Sequence, residues 1–258
     1  MSTTIVDHEV VSAAKWMEAR KELLKKEKEL TRQREEVSRL RRELPWEKID
    51  KNYVFDGPRG KESLSELFGT NSQLIVYHFM FGPEWSEGCP YCSFLSDGID
   101  AAEIHLRNHD VTLLAVSRAP YAKIAAFRER MGWKFKWVSS SGSDFNFDYH
   151  VSFQKPGQGG PDEHAGAEGQ IEYNYGTMPF FSEEMPGTSV FYRSPDGEIF
   201  HTYSTYARGG EAQLIAYSYL DLTPKGRNEN GPRRDLTEWV KHHDKYEEPG
   251  AHTCCGGR

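Results

Sequence analysis

Basic charge, cysteine and long apolar runs are all scarce in this chain of 258 residues. Lys and Arg number 32 against 39 Asp and Glu, a formal net charge of −7. Residues 1–50 hold 12 basic and 11 acidic side chains, so the remainder carries 20 against 28. No basic face stands out, so binding to a phosphate backbone has little support and no nucleic acid is expected as a partner. The longest apolar run, Leu74–Gly82, falls far short of the ~20 residues of a membrane span, and no membrane partner is expected. The opening MSTTIVDHEV lacks the basic flank and apolar core of a secretory signal, which predicts a cytoplasmic protein. Cysteine occurs four times, at Cys89, Cys92, Cys254 and Cys255. Without an export signal, a disulfide scaffold is not expected. Gly157, Gly159 and Gly160 neither follow a strand nor open a helix, so they are no nucleotide fingerprint, and no P-loop is present. With no nicotinamide or flavin motif, no cofactor is expected, and electrons must come from another thiol.

What is present suffices for a core, since hydrophobic residues make up 37% of the chain. Residues 9–44 contain no Gly or Pro and are rich in strong helix formers, which predicts one long helix ended by Pro45. Leu23, Leu30, Val37 and Leu44 recur every seven residues. Lys26 and Gln33, three beyond the leucines, weaken a free coiled coil. The stripe is therefore expected to pack on protein, in this subunit or in a homodimer through the helix. Gln73–Phe81 is a continuous apolar run that predicts a buried strand, and VTLLAVSRA a second. Helices predicted at Cys89–Asn108 and Tyr121–Met131 complete a βαβ unit with a parallel sheet. Phe145, Phe147, Tyr149, Val151 and Phe153 alternate with polar residues and predict a strand, with Asn146, Asp148 and His150 on its polar face. Ser189–Arg193 and Glu198–Thr205 flank the turn SPDG and predict a hairpin. Closing helices are expected at Glu211–Leu220 and within TEWVKHHDKY. The domain reading is a helical extension at 1–45, an α/β domain at 46–245 and a flexible tail at 246–258.

The chemical signal is Cys89-Pro90-Tyr91-Cys92, set after a buried strand and opening a helix. Free N–H groups and the positive dipole end at a helix start stabilise a thiolate, which lowers a thiol pKa below about 8.5. Pro90 suits the first turn, where its missing N–H costs nothing. Cys89, expected to be exposed at the cap, would attack a disulfide, and Cys92, one turn deeper, would resolve the mixed disulfide. An inert reduced pair and a zinc site are the alternatives. Zinc requires four ligands, and the other two cysteines are adjacent in a terminal tail, so no metal is expected. Haem attachment is excluded, because Ser93 stands where a His is required.

The tetrapeptide and the order of elements resemble the thioredoxin fold. The stretches LPWEKIDKNYVFDGPRG, SQLIVYHFMFGPEWSEGCPYCS, SGSDFNFDYHVSF and VFYRSPDGEIFHTYSTYARG resemble the bacterial family called domain of unknown function 899, over roughly residues 10–245. The resemblance implies a thioredoxin-like mixed sheet flanked by helices, here with a long N-terminal helix and a C-terminal extension. It also implies a dithiol–disulfide oxidoreductase whose partner is a thiol or disulfide substrate, protein or small molecule. A non-catalytic interaction protein on the same fold and a thiol-dependent peroxidase are the other readings. Trp85 stands four residues before Cys89, where thioredoxins place a Trp directly before the first Cys. His78 and Tyr77 occupy the strand position of the thioredoxin buried acid, and Pro186 best matches the proline that precedes the hairpin. Trp85, Pro90, Tyr91, His78 and Pro186 are thus candidates to line the site.

Overall fold

The computed structural model describes residues 8–155, 169–232 and 235–247. Cys254, Cys255 and the three glycines at 157–160 lie outside these residues. The chain divides into two units, residues 1–46 and 47–258.

The first unit is a single helix, α1 (Ala13–Arg42). Ser12 caps it by accepting a hydrogen bond from the Lys15 N–H, and Arg39, Arg41 and Arg42 in the last turn complement the helix dipole. Ion pairs one turn apart, such as Lys25–Glu22 and Arg39–Glu36, run along its surface. None of its residues is buried, and the stripe of Leu23, Leu30, Val37 and Leu44 is 44–54% exposed.

The second unit runs β1 (Glu47–Lys48), β2 (Val54–Gly57), β3 (Gly60–Ser63), α2 (Leu64–Leu67) and β4 (Gln73–His78). It continues with α3 (Pro90–Ser96), α4 (Ile99–Arg107), β5 (Val111–Ser117), α5 (Tyr121–Arg130), β6 (Trp137–Ser139) and α6 (Phe145–Asp148). Then come β7 (Gln170–Tyr173), β8 (Gly176–Pro179), β9 (Gly187–Arg193), β10 (Ile199–Tyr206) and α7 (Ile215–Leu220). Eight strands form one sheet in the order β1-β10-β9-β4-β5-β6-β2-β3, and β7 and β8 pair separately. β4, β5 and β6 are parallel neighbours; β9 lies antiparallel beside β4. The β4–helix–β5 unit, with the β9–β10 hairpin on its other side and α7 after it, has the arrangement of the thioredoxin fold.

Alternation along β4 divides the core. Leu74 and Val76 pack on one face with Phe55, Phe68, Leu114 and Phe191. Tyr77 packs on the other with Phe79, Phe127, Trp137 and both cysteines. A fully buried side chain of this size contributes ~1.5–3 kcal/mol.

Four local expectations change. The predicted strand 145–153 is a single turn of helix, α6, followed by His150 at φ 51° and one bridge from Ser152 to Glu184. Phe145 and Tyr149 lie four apart and share a helical face as readily as a strand face, so alternation over a short window decides nothing. The helix predicted at Cys89–Asn108 breaks between α3 and α4 at Gly98, which packs directly against Ile215. Glu211–Leu220 is a 3₁₀ segment (Ala207–Gln213) followed by α7, and TEWVKHHDKY forms two 3₁₀ turns, Leu236–Glu238 and His243–Lys245. In the last case tertiary anchors, described below, override helical propensity.

Candidate functional site

β4 ends against the loop Phe79–Gly88, which delivers Cys89 to the N-cap of α3. The loop is pinned at several points. Phe79 N–H donates to Val116 O, Ala119 N–H to Phe81 O, and Ser117 Oγ to Phe79 O at 2.6 Å. Cys89 N–H donates to Met80 O at 3.0 Å, while the Met80 N–H donates to Cys92 Sγ at 3.4 Å. The backbone at Met80 therefore holds both cysteines. Pro90 is the first residue of α3, as its fixed φ and missing N–H favour.

Both cysteines are reduced and buried, Cys89 at 6% exposure and Cys92 at 1%. The expected exposure of Cys89 is thus not met, because the loop folds the cap residue into the aromatic cluster. The two thiols differ in acidity. A hydrogen bond from the Cys92 thiol and the N–H groups of Cys92 and Tyr91 hold the Cys89 thiol below its ordinary pKa, against the opposing effect of burial. Burial raises Cys92 well above the ordinary range, and the neighbouring Cys89 sulfur adds to this. The Tyr77 hydroxyl and the Met80 N–H, both directed at Cys92, oppose that rise.

Trp85 and Tyr91 pack on the same cluster as the cysteines. Pro186 sits directly before β9, and its carbonyl accepts a hydrogen bond from the Tyr173 hydroxyl at 2.7 Å. Among the described residues no peptide is cis. His78 faces away from the pair, stacked on Tyr149 with its Nε2 2.8 Å from Ser189 Oγ. It is Tyr77, on the cysteine face, that meets the thiol. Burial lowers the His78 pKa to about 3, so the ring is neutral.

Two further groups of charged and polar side chains are tied together across long sequence separations. Arg118, just past β5, bonds Glu184 at 2.8 Å through Nε, and Ser152 Oγ donates to the other carboxylate oxygen at 2.7 Å. Burial raises the Glu184 pKa, and Arg118 opposes this. A lone Arg closing the apolar run VTLLAVSRA was the signal available for it. The second group is the C-terminal segment. Buried His242 lies 2.8 Å from Gly88 O, His243 Nδ1 is 2.7 Å from Asp97, and Lys245 reaches Glu87 at 2.7 Å. Arg130 bonds both Asp244 and Glu87. Residues 242–245 thus clasp the loop before Cys89 and the end of α3. His242, His243 and Asp244 spend their polar atoms on this clasp. Among the described residues no cluster of three or more His, Cys, Asp or Glu is arranged to hold a metal ion, and no helix is long and apolar enough to cross a membrane.

No curated protein matches the chain. Solved structures similar to it include a cysteine-to-serine variant of PrxQ from Xylella fastidiosa, at 14% identity and a TM-score of 0.42, covering 67% of this chain and 94% of that one. Peroxidoxin BcpB from Mycobacterium tuberculosis matches at 12% identity and TM-score 0.44, with the same coverages. A protein from Chlorobium tepidum provisionally described as thiol:disulfide interchange protein DsbE matches at 13% identity and TM-score 0.36, covering 67% of this chain and 97% of that one. The sequence pattern of a family described as bacterial protein of unknown function (DUF899) matches residues 5–246, and the chain belongs to that family.

Proposed function

We propose that the protein is a thiol–disulfide oxidoreductase acting through Cys89 and Cys92. The observation that carries this reading is the pairing of two reduced thiols of opposite acidity at the start of α3, hydrogen-bonded to each other. The Cys89 thiolate attacks one sulfur of a substrate disulfide. The substrate S–S bond breaks, and the departing thiolate takes up a proton. Cys92 then loses its proton and attacks Cys89 Sγ, releasing the second substrate thiol and leaving a Cys89–Cys92 disulfide. The substrate gains two electrons, which a reduced thiol donor later restores to the protein. The Tyr77 hydroxyl steadies the Cys92 sulfur as it ionises. Because Cys89 is buried, the loop at Gly88 must shift to admit a substrate sulfur.

Turnover of a generic aromatic disulfide with dithiothreitol as donor tests this. Cys89→Ser abolishes turnover, whereas Cys92→Ser retains the first step and accumulates a mixed disulfide on Cys89 visible by mass spectrometry. Equal turnover by wild type and Cys89→Ser would support the interaction-protein reading instead.

A further inference from the structure

A cavity of about 760 Å³, lined from β1, α6, the β7–β8 hairpin and β10, has neither cysteine in its wall. Its size falls within the ~300–1,000 Å³ of small-molecule sites. Three carboxylates line it, Glu47, Asp148 and Glu172, against one lysine, Lys51. Lys51 is already matched, with Nζ 2.6 Å from Asp148 and 3.0 Å from Asp144. Glu172 has no cation partner among the described residues. The lining is therefore net negative and repels anions.

A second observation is independent of charge. Of the tyrosines around the cavity, Tyr53 spends its hydroxyl on Asp148, Tyr173 on Pro186 O and Tyr206 on Tyr149 O. Tyr149 does not. Its ring is 6% exposed and fixed between His78, Phe145 and Phe191, yet its hydroxyl meets no partner among the described residues. The cavity wall is where that hydroxyl emerges. The hydroxyl oxygen is accessible, so it is free to bond a polar group that enters the cavity.

We propose that this cavity binds a small organic cation, an ammonium group carried on an apolar or aromatic body. Glu47 and Glu172 hold the ammonium, the tyrosine rings and Ile49 cover the body, and the Tyr149 hydroxyl bonds a polar atom of the ligand. A bare metal ion is disfavoured on geometry, because these carboxylates are not gathered into a ligand set. The inference does not depend on the thiol chemistry.

Titration calorimetry on the full chain with three probes of one shape tests it: phenethylamine, phenethyl alcohol and phenylacetate. Phenethylamine binds saturably, phenethyl alcohol about 10-fold more weakly, and phenylacetate not at all. The double variant Glu47→Gln/Glu172→Gln, at two exposed positions that fold does not require, removes the preference of amine over alcohol. Tyr149→Phe weakens the amine about 5-fold, the worth of one neutral hydrogen bond. Equal affinity for amine and alcohol, a preference for phenylacetate, or no saturable binding of phenethylamine would each overturn the proposal.

Discussion

The thirty residues of α1 include no buried side chain, whereas four of the seven residues of α3 are buried. The two helices form for different reasons. α1 relies on helix propensity, a serine cap and ion pairs along its surface, all of them local in sequence. α3 is too short to stand alone in water and exists because Cys92, Ser93, Leu95 and Ser96 face a core. Local interactions thus suffice for length, and tertiary packing is what places a reactive group.

Substitutions can break this contrast. The largest effect is expected in the sheet, on the face of β4 turned away from α3. Leu74→Ala should cost ~2–5 kcal/mol in urea unfolding, since the side chain is fully buried and its removal leaves a cavity. Next is the loop that feeds α3. A Cβ on Gly88 would lie 2.7 Å from the Phe79 ring and 3.0 Å from Phe127. Gly88→Ala should therefore destabilise by ~1–3 kcal/mol and change the alkylation rate of Cys89.

A third prediction concerns pH. His78 has a folded pKa of about 3, below its ordinary value of 6.5. Between these values the unfolded chain binds a proton that the fold does not. Stability is full above pH 6.5 and falls by ~1.4 kcal/mol per pH unit as the pH drops through that window. His78→Gln should flatten this part of the stability profile. The smallest effect belongs to α1, where Leu30→Ala should change unfolding free energy by under about 0.5 kcal/mol. A melting temperature that rises with protein concentration, and ceases to do so in that variant, would show a second copy covering the stripe.

Legibility followed the same division. The α1 helix, the buried strands β4 and β5, the helix opening at Cys89 and the β9–β10 hairpin each carry their signal in contiguous residues. The Cys-Pro-Tyr-Cys pair was legible for that reason. The contacts between distant segments were not. Arg118 and Glu184 are 66 residues apart, and the histidines of the clasp meet a loop some 150 residues upstream. Charged side chains at such separations read locally as solvated surface. The alternation of Phe145, Tyr149 and Phe153 misled for the opposite reason, because a genuine burial pattern was met by a turn rather than a strand. The choice between Tyr77 and His78 was settled only by which face of β4 meets α3.

The clasp bears on synthesis. Gly88 and His242 are separated by 154 positions, so the loop before Cys89 is completed only after residue 242 has left the ribosome. At 5–20 residues per second the interval is roughly 8–30 s. Throughout it, Cys89 and Cys92 belong to a nascent chain whose last fastening has yet to be made, and a stop codon or fusion placed before residue 245 would make that condition permanent.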